Sequence, residues 1–283
     1  LRFYLNLKKI LQINKSHIFH LVVLVCVFFT VVSCQQEVKK YAVFSHTRLD
    51  DNSGLNNSVE IAAFSDFDVL MLGGDMANLS SFDNTILNVL DSVFDISNSK
   101  TLWTLGNHDY TNVELLKSYT KKETYYSYTQ DNTLFLVLDT QLDSSRISGE
   151  QLHFFNTITD TMNSYKNLII LSHKLIWMRG NPSLESQIDS VSNGHLGDCS
   201  YCIQSNNFYT DIYPKLLSLK NANVNVYCVA GDIGFKMSKY KYITTDGVVF
   251  LATGMNSSSE DDFYLEFSNN LSNENMSYAF IPL

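Results

Sequence analysis

Residues 101–109 read Thr101-Leu102-Trp103-Thr104-Leu105-Gly106-Asn107-His108-Asp109. A short, strand-like apolar run stops at Gly106 and gives way to residues fit for metal binding or proton transfer. A single ending of this kind is usually a turn or a cap. Here the event recurs. Tyr41–Ser45 reads as a buried strand followed by His46, and Phe67–Leu72 as a strand followed by Gly73-Gly74-Asp75. Leu168–Leu171 runs into Ser172-His173, and Val224–Ala230 into Gly231-Asp232. Five such endings are hard to explain as turns. In open α/β sheets ligands bind beyond the carboxyl ends of the strands, so these residues are predicted to converge on one crevice.

The segments between the strands carry helical spacing. Ile86, Leu87, Val89, Leu90 and Val93 recur at helical intervals across Asn84–Ile96. Val113–Tyr119, Phe208–Leu219 and a stretch from Ser148 to about Asn163 are also read as helices. Gln151 is placed to close a capping box with Ser148. Tyr125–Tyr128 and Thr133–Leu138 are expected to pair antiparallel around Gln130-Asp131-Asn132. Arg179–Asn206 is a long polar segment, and the tail from Tyr240 alternates short strands and turns. No internal repeat or domain boundary interrupts the pattern. Strands alternating with helices imply an α/β fold.

Composition narrows the class. The chain has 283 residues, 45% hydrophobic and 17% charged, which excludes a disordered or collagen-like chain. Its net charge is −9. The first 34 residues hold Arg2, Lys8, Lys9 and Lys15 and no acid, so the remainder is more acidic still. No nucleic-acid surface is expected on such a body, because backbone binding needs a cationic face.

The N-terminal segment reads as an address. Ile18–Val32 is an apolar run behind a basic stretch, short for a membrane span and suited to a secretory signal. It ends in Val31-Val32-Ser33-Cys34, which resembles a bacterial lipobox. Residues 1–33 are therefore expected to be a signal peptide, 34–39 a linker anchored to the membrane through a lipidated Cys34, and 40–283 the globular domain. An uncleaved signal anchor is the alternative. Either places the body in the cell envelope, outside the cytoplasm.

Of five cysteines, Cys26 lies in the signal and Cys34 is the lipidation candidate. Cys228 sits in an apolar run and reads as an inert core thiol. Cys199-Ser200-Tyr201-Cys202 could be a disulfide, half a metal site with His195 and Asp198, or a redox pair. A local disulfide stapling a loop is favoured, since the strand–Cys-x-x-Cys–helix setting of a redox site is missing.

The ordered motifs resemble the calcineurin-like metallophosphoesterase family, whose pattern is Asp-x-His, Gly-Asp, Gly-Asn-His-Asp or Glu, a His after an apolar strand, and Gly-His-x-His. Gly74-Asp75, Gly106-Asn107-His108-Asp109 and Ser172-His173 match intact across roughly residues 40 to 255. The resemblance implies an α/β fold of two packed mixed sheets flanked by helices, a four-layer sandwich. It also implies phosphoester hydrolysis assisted by divalent metal.

Two motifs depart from that pattern. The first is His46-Thr47-Arg48 and the last Gly231-Asp232-Ile233-Gly234. Carried over by position, one metal site becomes Asp75, Asn107, His173 and Asp232, all able to bind a divalent ion. The other becomes His46, Arg48, Asp75 and Gly234. Arg is always cationic and cannot ligate, and Gly has no side chain. One strong site is therefore expected, holding Mn, Fe or Zn, with His46 either binding a weaker second ion beside Asp75 or hydrogen-bonding to it. Arg48 would replace lost positive charge by clamping phosphate oxygens. His108 matches the family's leaving-group histidine, and Asp109 is expected to orient its ring. The expected partner is a phosphoester substrate. The alternative is a catalytically inactive relative that binds a phosphorylated or glycan ligand, or a protein. His153, His195, Trp103 and Trp177 read as surface or packing residues, and Asp139 as a cap.

Overall fold

Successive side chains of a strand point to opposite faces, so a strand apolar at every position must be covered on both sides. That requirement sets the architecture. In the computed structural model, which describes residues 37–48, 54–60, 62–256 and 261–283, the strands are β1 (Val38–Phe44), β2 (Val69–Leu72), β3 (Thr101–Trp103), β4 (Tyr126–Gln130), β5 (Thr133–Val137), β6 (Asn167–Ser172), β7 (Asn225–Ala230), β8 (Lys239–Ile243), β9 (Val249–Thr253), β10 (Phe263–Asn270) and β11 (Asn275–Pro282). The proposed signal segment and Cys34 lie outside the described residues.

One sheet has five strands in the order β11-β10-β1-β2-β3, the other six in the order β4-β5-β6-β7-β9-β8. Both are mixed: β1, β2 and β3 run parallel, as do β5, β6, β7 and β9, while β10 and β11 of the first sheet and β4 and β8 of the second pair antiparallel. Tyr41, Val43, Val69 and Met71 of the first sheet face Phe135, Val137, Ile169, Leu171 and Val229 of the second. Their neighbours Ala42, Phe44, Leu70 and Leu72 point outward, where Leu87, Leu90 and Phe94 of the Asn84–Phe94 helix and Leu116 of the Val113–Thr120 helix cover them. On the far face Leu134, Ile170, Val226 and Cys228 are covered by Phe155 of the Gly149–Thr159 helix and by Leu216 and Leu219 of the Tyr213–Asn221 helix. Each large apolar side chain buried in this way contributes about 1.5–3 kcal/mol. The result is the four-layer α/β/β/α sandwich that the motif resemblance implied.

Local chemistry departs from expectation in three places. The helix after Ser148 ends at Thr159, and no capping box forms. Gln151 instead turns inward, accepting from Asp139 N at 2.7 Å and donating to Asp139 O at 3.0 Å. The helix expected from Phe208 begins as a π-helical turn, Phe208–Ile212, before the regular helix. The polar segment 179–206 is anchored by buried Leu184, Ile188 and Val191, which helical turns at Pro182–Glu185 and Ile188–Val191 direct inward, and by buried Ile203, which bridges to Leu196. Cys199 and Cys202 are joined in a disulfide, and Cys228 is free and buried.

Candidate active site

The parallel strands bring their carboxyl ends to one edge of the sandwich, and the two sheets touch there through glycine. A Cβ on Gly231 would lie 2.0 Å from Gly73 O, so no other residue fits this crossing without backbone movement. Ser45 Oγ also donates across it to Gly231 O at 2.9 Å. Gly106 plays the same part for side chains. A Cβ there would meet Asp75 Oδ1 at 2.1 Å and His173 Cε1 at 2.7 Å. Asp75 and His46 both adopt positive φ, 55° and 54°, a strained setting for residues bearing a Cβ.

His173 is fully buried. Its Nδ1–H donates to Gly73 O at 2.8 Å, which leaves the lone pair on Nε2. Nε2 has no hydrogen-bond partner. It faces Asp75 Oδ1 at 3.7 Å and Asp232 Oδ1 at 3.8 Å. A buried lone pair between two carboxylate oxygens is a costly arrangement unless a cation joins them. Two donors each ~2.1 Å from one ion stand ~3.0–3.4 Å apart at octahedral to tetrahedral angles. The observed gaps are a few tenths of an ångström wider. By the stricter measure of a ready-made cage, no group of three or more His, Cys, Asp and Glu side chains among the described residues qualifies. Even so, Nε2 is buried without a hydrogen-bond partner between two carboxylate oxygens. The residues present fit a divalent ion. Asn107 stands in the adjoining turn, half-buried.

The electrostatics fit the same picture. Burial pushes Asp232 up to about 7, and Asp75 adds to the rise against the pull of His173 and Lys174. Burial also works against the charged forms of Asp75 and His173. Their mutual attraction prevails, holding Asp75 below and His173 above the usual ranges. A site of this kind shares protons among its members until a cation displaces them.

His108 carries its backbone N–H to Asp75 Oδ1 at 3.0 Å. Its ring is oriented by a carbonyl, with Nδ1–H donating to Asn78 O at 2.7 Å. The expectation for Asp109 is therefore corrected. Asp109 does not orient the imidazole: it is fully buried and accepts from Asp75 N at 2.7 Å, Gly106 N at 2.8 Å, Met76 N at 3.2 Å and Ser80 Oγ. An acceptor-only carboxylate is what four converging donors require. It holds the Asp75 and Gly106 turns together and acts on the site through them.

His46 donates through Nδ1 to Met255 O at 3.0 Å rather than bonding Asp75. Burial, reinforced by Arg48 and His173 and opposed by Asp75, depresses it to about 4. Its ring meets Phe235 edge-on at 4.6 Å, and the Arg48 guanidinium lies 5.6 Å from the same ring. Gly234 and Phe235, with Lys236 and Lys239, border a cleft of about 600 Å³ on this side.

Residues 45–196 match the family described as calcineurin-like phosphoesterase. The chain belongs to the calcineurin-like phosphoesterase family. Curated proteins yield no significant match. Among solved structures, a dimetal phosphatase from Danio rerio superposes with a TM-score of 0.56 at 11% identity, over 86% of this chain and 96% of that one. NAD nucleotidase from Haemophilus influenzae gives a TM-score of 0.42 at 14% identity, over 88% of this chain and 50% of that one. The Danio likeness shows a shared fold.

Within this calcineurin-like domain several residues near the site carried no sequence signal. Ser192 Oγ lies 3.4 Å from Asp232 Oδ2, and Asn193 N donates to Asp232 O at 3.0 Å. Lys174 is buried; its Nζ donates to Gln204 Oε1 at 3.1 Å, and burial lowers it to about 8 against the opposing pull of Asp232 and Asp139. Gln204 Nε2 donates to Cys199 O at 2.7 Å. With its amide set to satisfy both neighbours, Gln141 donates to Ser200 O at 3.0 Å and accepts from Asn107 N at 3.2 Å. A Cβ on Gly194 would collide with Tyr201 O at 2.2 Å and reach Asp232 Oδ2 at 3.4 Å. The disulfide loop is thus packed over the site. His195 is turned to the surface, against Asp189 at 3.2 Å. Asp139 caps the turn after β5, accepting from Gln141 N and Leu142 N.

Proposed function

We propose that this protein hydrolyses phosphoesters, using a divalent cation held by Asp75, His173 and Asp232 with Asn107 beside them. The observation that carries the reading is the buried Nε2 of His173, unpartnered between two carboxylates. A mixed oxygen and nitrogen donor set suits Mn, Fe or Zn. Such a cation supplies Lewis acidity toward the phosphoryl group and makes water a stronger acid.

The chain's own residues do the rest. Asp75 and Asp232, once ionised, would neutralise the charge of one divalent ion. Arg48, close enough to His46 to help depress it, would offer a planar fork to phosphoryl oxygens as negative charge grows on them. His108 keeps Nδ1–H on the Asn78 carbonyl, so Nε2 is the atom that faces the departing alkoxide; as the imidazolium, protonated on both nitrogens, the ring would give its Nε2 proton to that alkoxide and return to the neutral Nδ1–H form. His46 beside Asp75 would hold a second, weaker ion. Arg48 and Gly234 supply no donors there.

The test is elemental analysis of purified protein followed by turnover of a chromogenic phosphoester with added Mn. About one tightly held ion per chain is expected, with His108→Ala slowing turnover by about 10²–10⁴-fold. Protein that retains no metal and shows no turnover would sink the reading. A second reading is phosphoester binding without turnover. It is favoured by the packing of Arg48 and His46 against Phe235, which engages both residues of the altered first motif. Ligand affinity lost on Arg48→Ala, with no hydrolysis in any metal, would select it.

We also propose that the domain is exported and anchored through Cys34 in the cell envelope. The Cys199–Cys202 disulfide is compatible with an oxidising compartment. Fatty-acid labelling that persists in Cys34→Ser would overturn this.

A further inference from the structure

A cavity of about 370 Å³ opens between the Ala77–Leu79 backbone, Leu55 and the Asn84–Phe94 helix. Its size is that of a small-ligand pocket. Leu90 is its buried floor, and Ile86, Val89 and Leu79 form its walls. The helix already buries Leu87, Leu90 and Phe94 against the sheet. Ile86 and Val89 make a second apolar stripe beside that face. Val89 is 50% exposed and Leu79 44% exposed, with Phe82 at 57% on the following turn. Exposed apolar residues gathered around one opening mark a binding surface more than scattered ones do.

The cavity adjoins the site through one residue. Asn78 lines it, and the Asn78 carbonyl holds His108 Nδ1, whose own N–H is bonded to Asp75. The wall is preformed. Ser80 Oγ accepts from Ala77 N at 2.9 Å and donates to Asp109, and Ser80 N donates to His108 O at 3.1 Å. Asp75, His108 and Asn78 are thus linked by hydrogen bonds from the proposed cation site to the cavity wall.

We infer that this cavity receives the apolar alcohol portion of the substrate, an alkyl or acyl chain esterified to the phosphate. The inference rests on the phosphoesterase reading above and extends it to a substrate class. Among the described residues, only Asn78 and Thr85 bring polar side chains to the lining. A sugar or nucleobase there would leave hydroxyl or amide groups without partners, which disfavours its binding. Methylenes lose nothing by entering, and each one removed from water favours binding.

The experiment compares octyl phosphate with methyl phosphate by titration calorimetry, with and without added Mn, on the full chain and on Val89→Asp and Leu79→Ser. Both substituted positions are half exposed, so neither change threatens folding. Octyl phosphate is expected to bind at least tenfold tighter, and each variant to erase most of that preference while leaving methyl phosphate affinity unchanged. Equal affinity for the two phosphates overturns the inference. So does a preference that survives both variants, which would put the chain elsewhere. If Val89→Asp only converts a dimer to a monomer in sedimentation, the patch is a self-association surface and the inference also fails. Should the wild-type protein hydrolyse no phosphoester yet show the octyl preference and its loss, the hydrolase reading falls and the apolar subsite stands.

Discussion

The Gly73 carbonyl accepts His173 Nδ1–H at 2.8 Å, and this one bond decides which ring nitrogen faces the carboxylates. With Nδ1 committed, Nε2 is the lone pair presented to Asp75 and Asp232, the tautomer a metal ligand needs.

Asp232 ties metal binding to pH. In the fold its carboxyl is pushed up to about 7 by burial, against 3.8 for the group in the open chain. A cation needs the ionised form, so affinity for Mn is expected to fall about tenfold per pH unit below 7 and to level off above it, read by titration calorimetry. Stability of the metal-free protein runs the other way. As pH rises from about 4 to 7 the unfolded chain loses its proton first, so ionisation favours unfolding. Metal-free protein should therefore lose a few kcal/mol across that window. Asp232→Asn should flatten the loss in denaturant titrations. A Tm of metal-free protein that climbs through this window would contradict the assignment.

Gly106 permits the close approach of Asp75 and His173. Gly106→Ala places a methyl 2.1 Å from Asp75 Oδ1, which must then move. Metal content should drop below half, with a stability cost of about 1–3 kcal/mol. Full metal occupancy in this variant would show that the approach is not needed.

Asp109 is a positioning residue with four donors aimed at it. Asp109→Asn sets an amide N–H₂ against backbone N–H groups and is expected to cost about 2–4 kcal/mol. The His108 ring, held by Asn78 O, should keep its NMR-observed tautomer in whatever fraction folds. A changed tautomer would restore a direct role for Asp109 on the imidazole.

The disulfide loop packs over the site through Gln141 and Gln204. Cys199→Ser with Cys202→Ser opens a very short loop, for which the chain-entropy estimate is about 2 kcal/mol. Released contacts at Ser200 O and Cys199 O free Gln141 beside Asn107 and Gln204 beside Lys174. Metal affinity and turnover should both fall under reducing conditions. Unchanged values after reduction, with free thiols counted, would show that the loop is only a surface staple.

Much of this was legible in the chain itself. Strands apolar at every position demanded cover on both faces, and recurrent glycine-then-polar endings marked where they stop. Those patterns are local, and a period-2 strand reports its environment in its own residues. What sequence could not assign was every relationship that depends on which backbone lies opposite. Gln151 had the spacing of a cap, yet the backbone of Asp139 offered it a donor and an acceptor in the core. Asp109 was adjacent to His108 in sequence and was given its ring, but the 75–76 and 106 backbones converge on the carboxylate and Asn78 reaches the imidazole first. Lys174, Ser192, Gln141 and the cavity beside Asn78 left no motif at all. Their roles come from segments dozens of residues apart meeting at one sheet edge, and hydrogen-bond partners are settled by distance in space rather than along the chain.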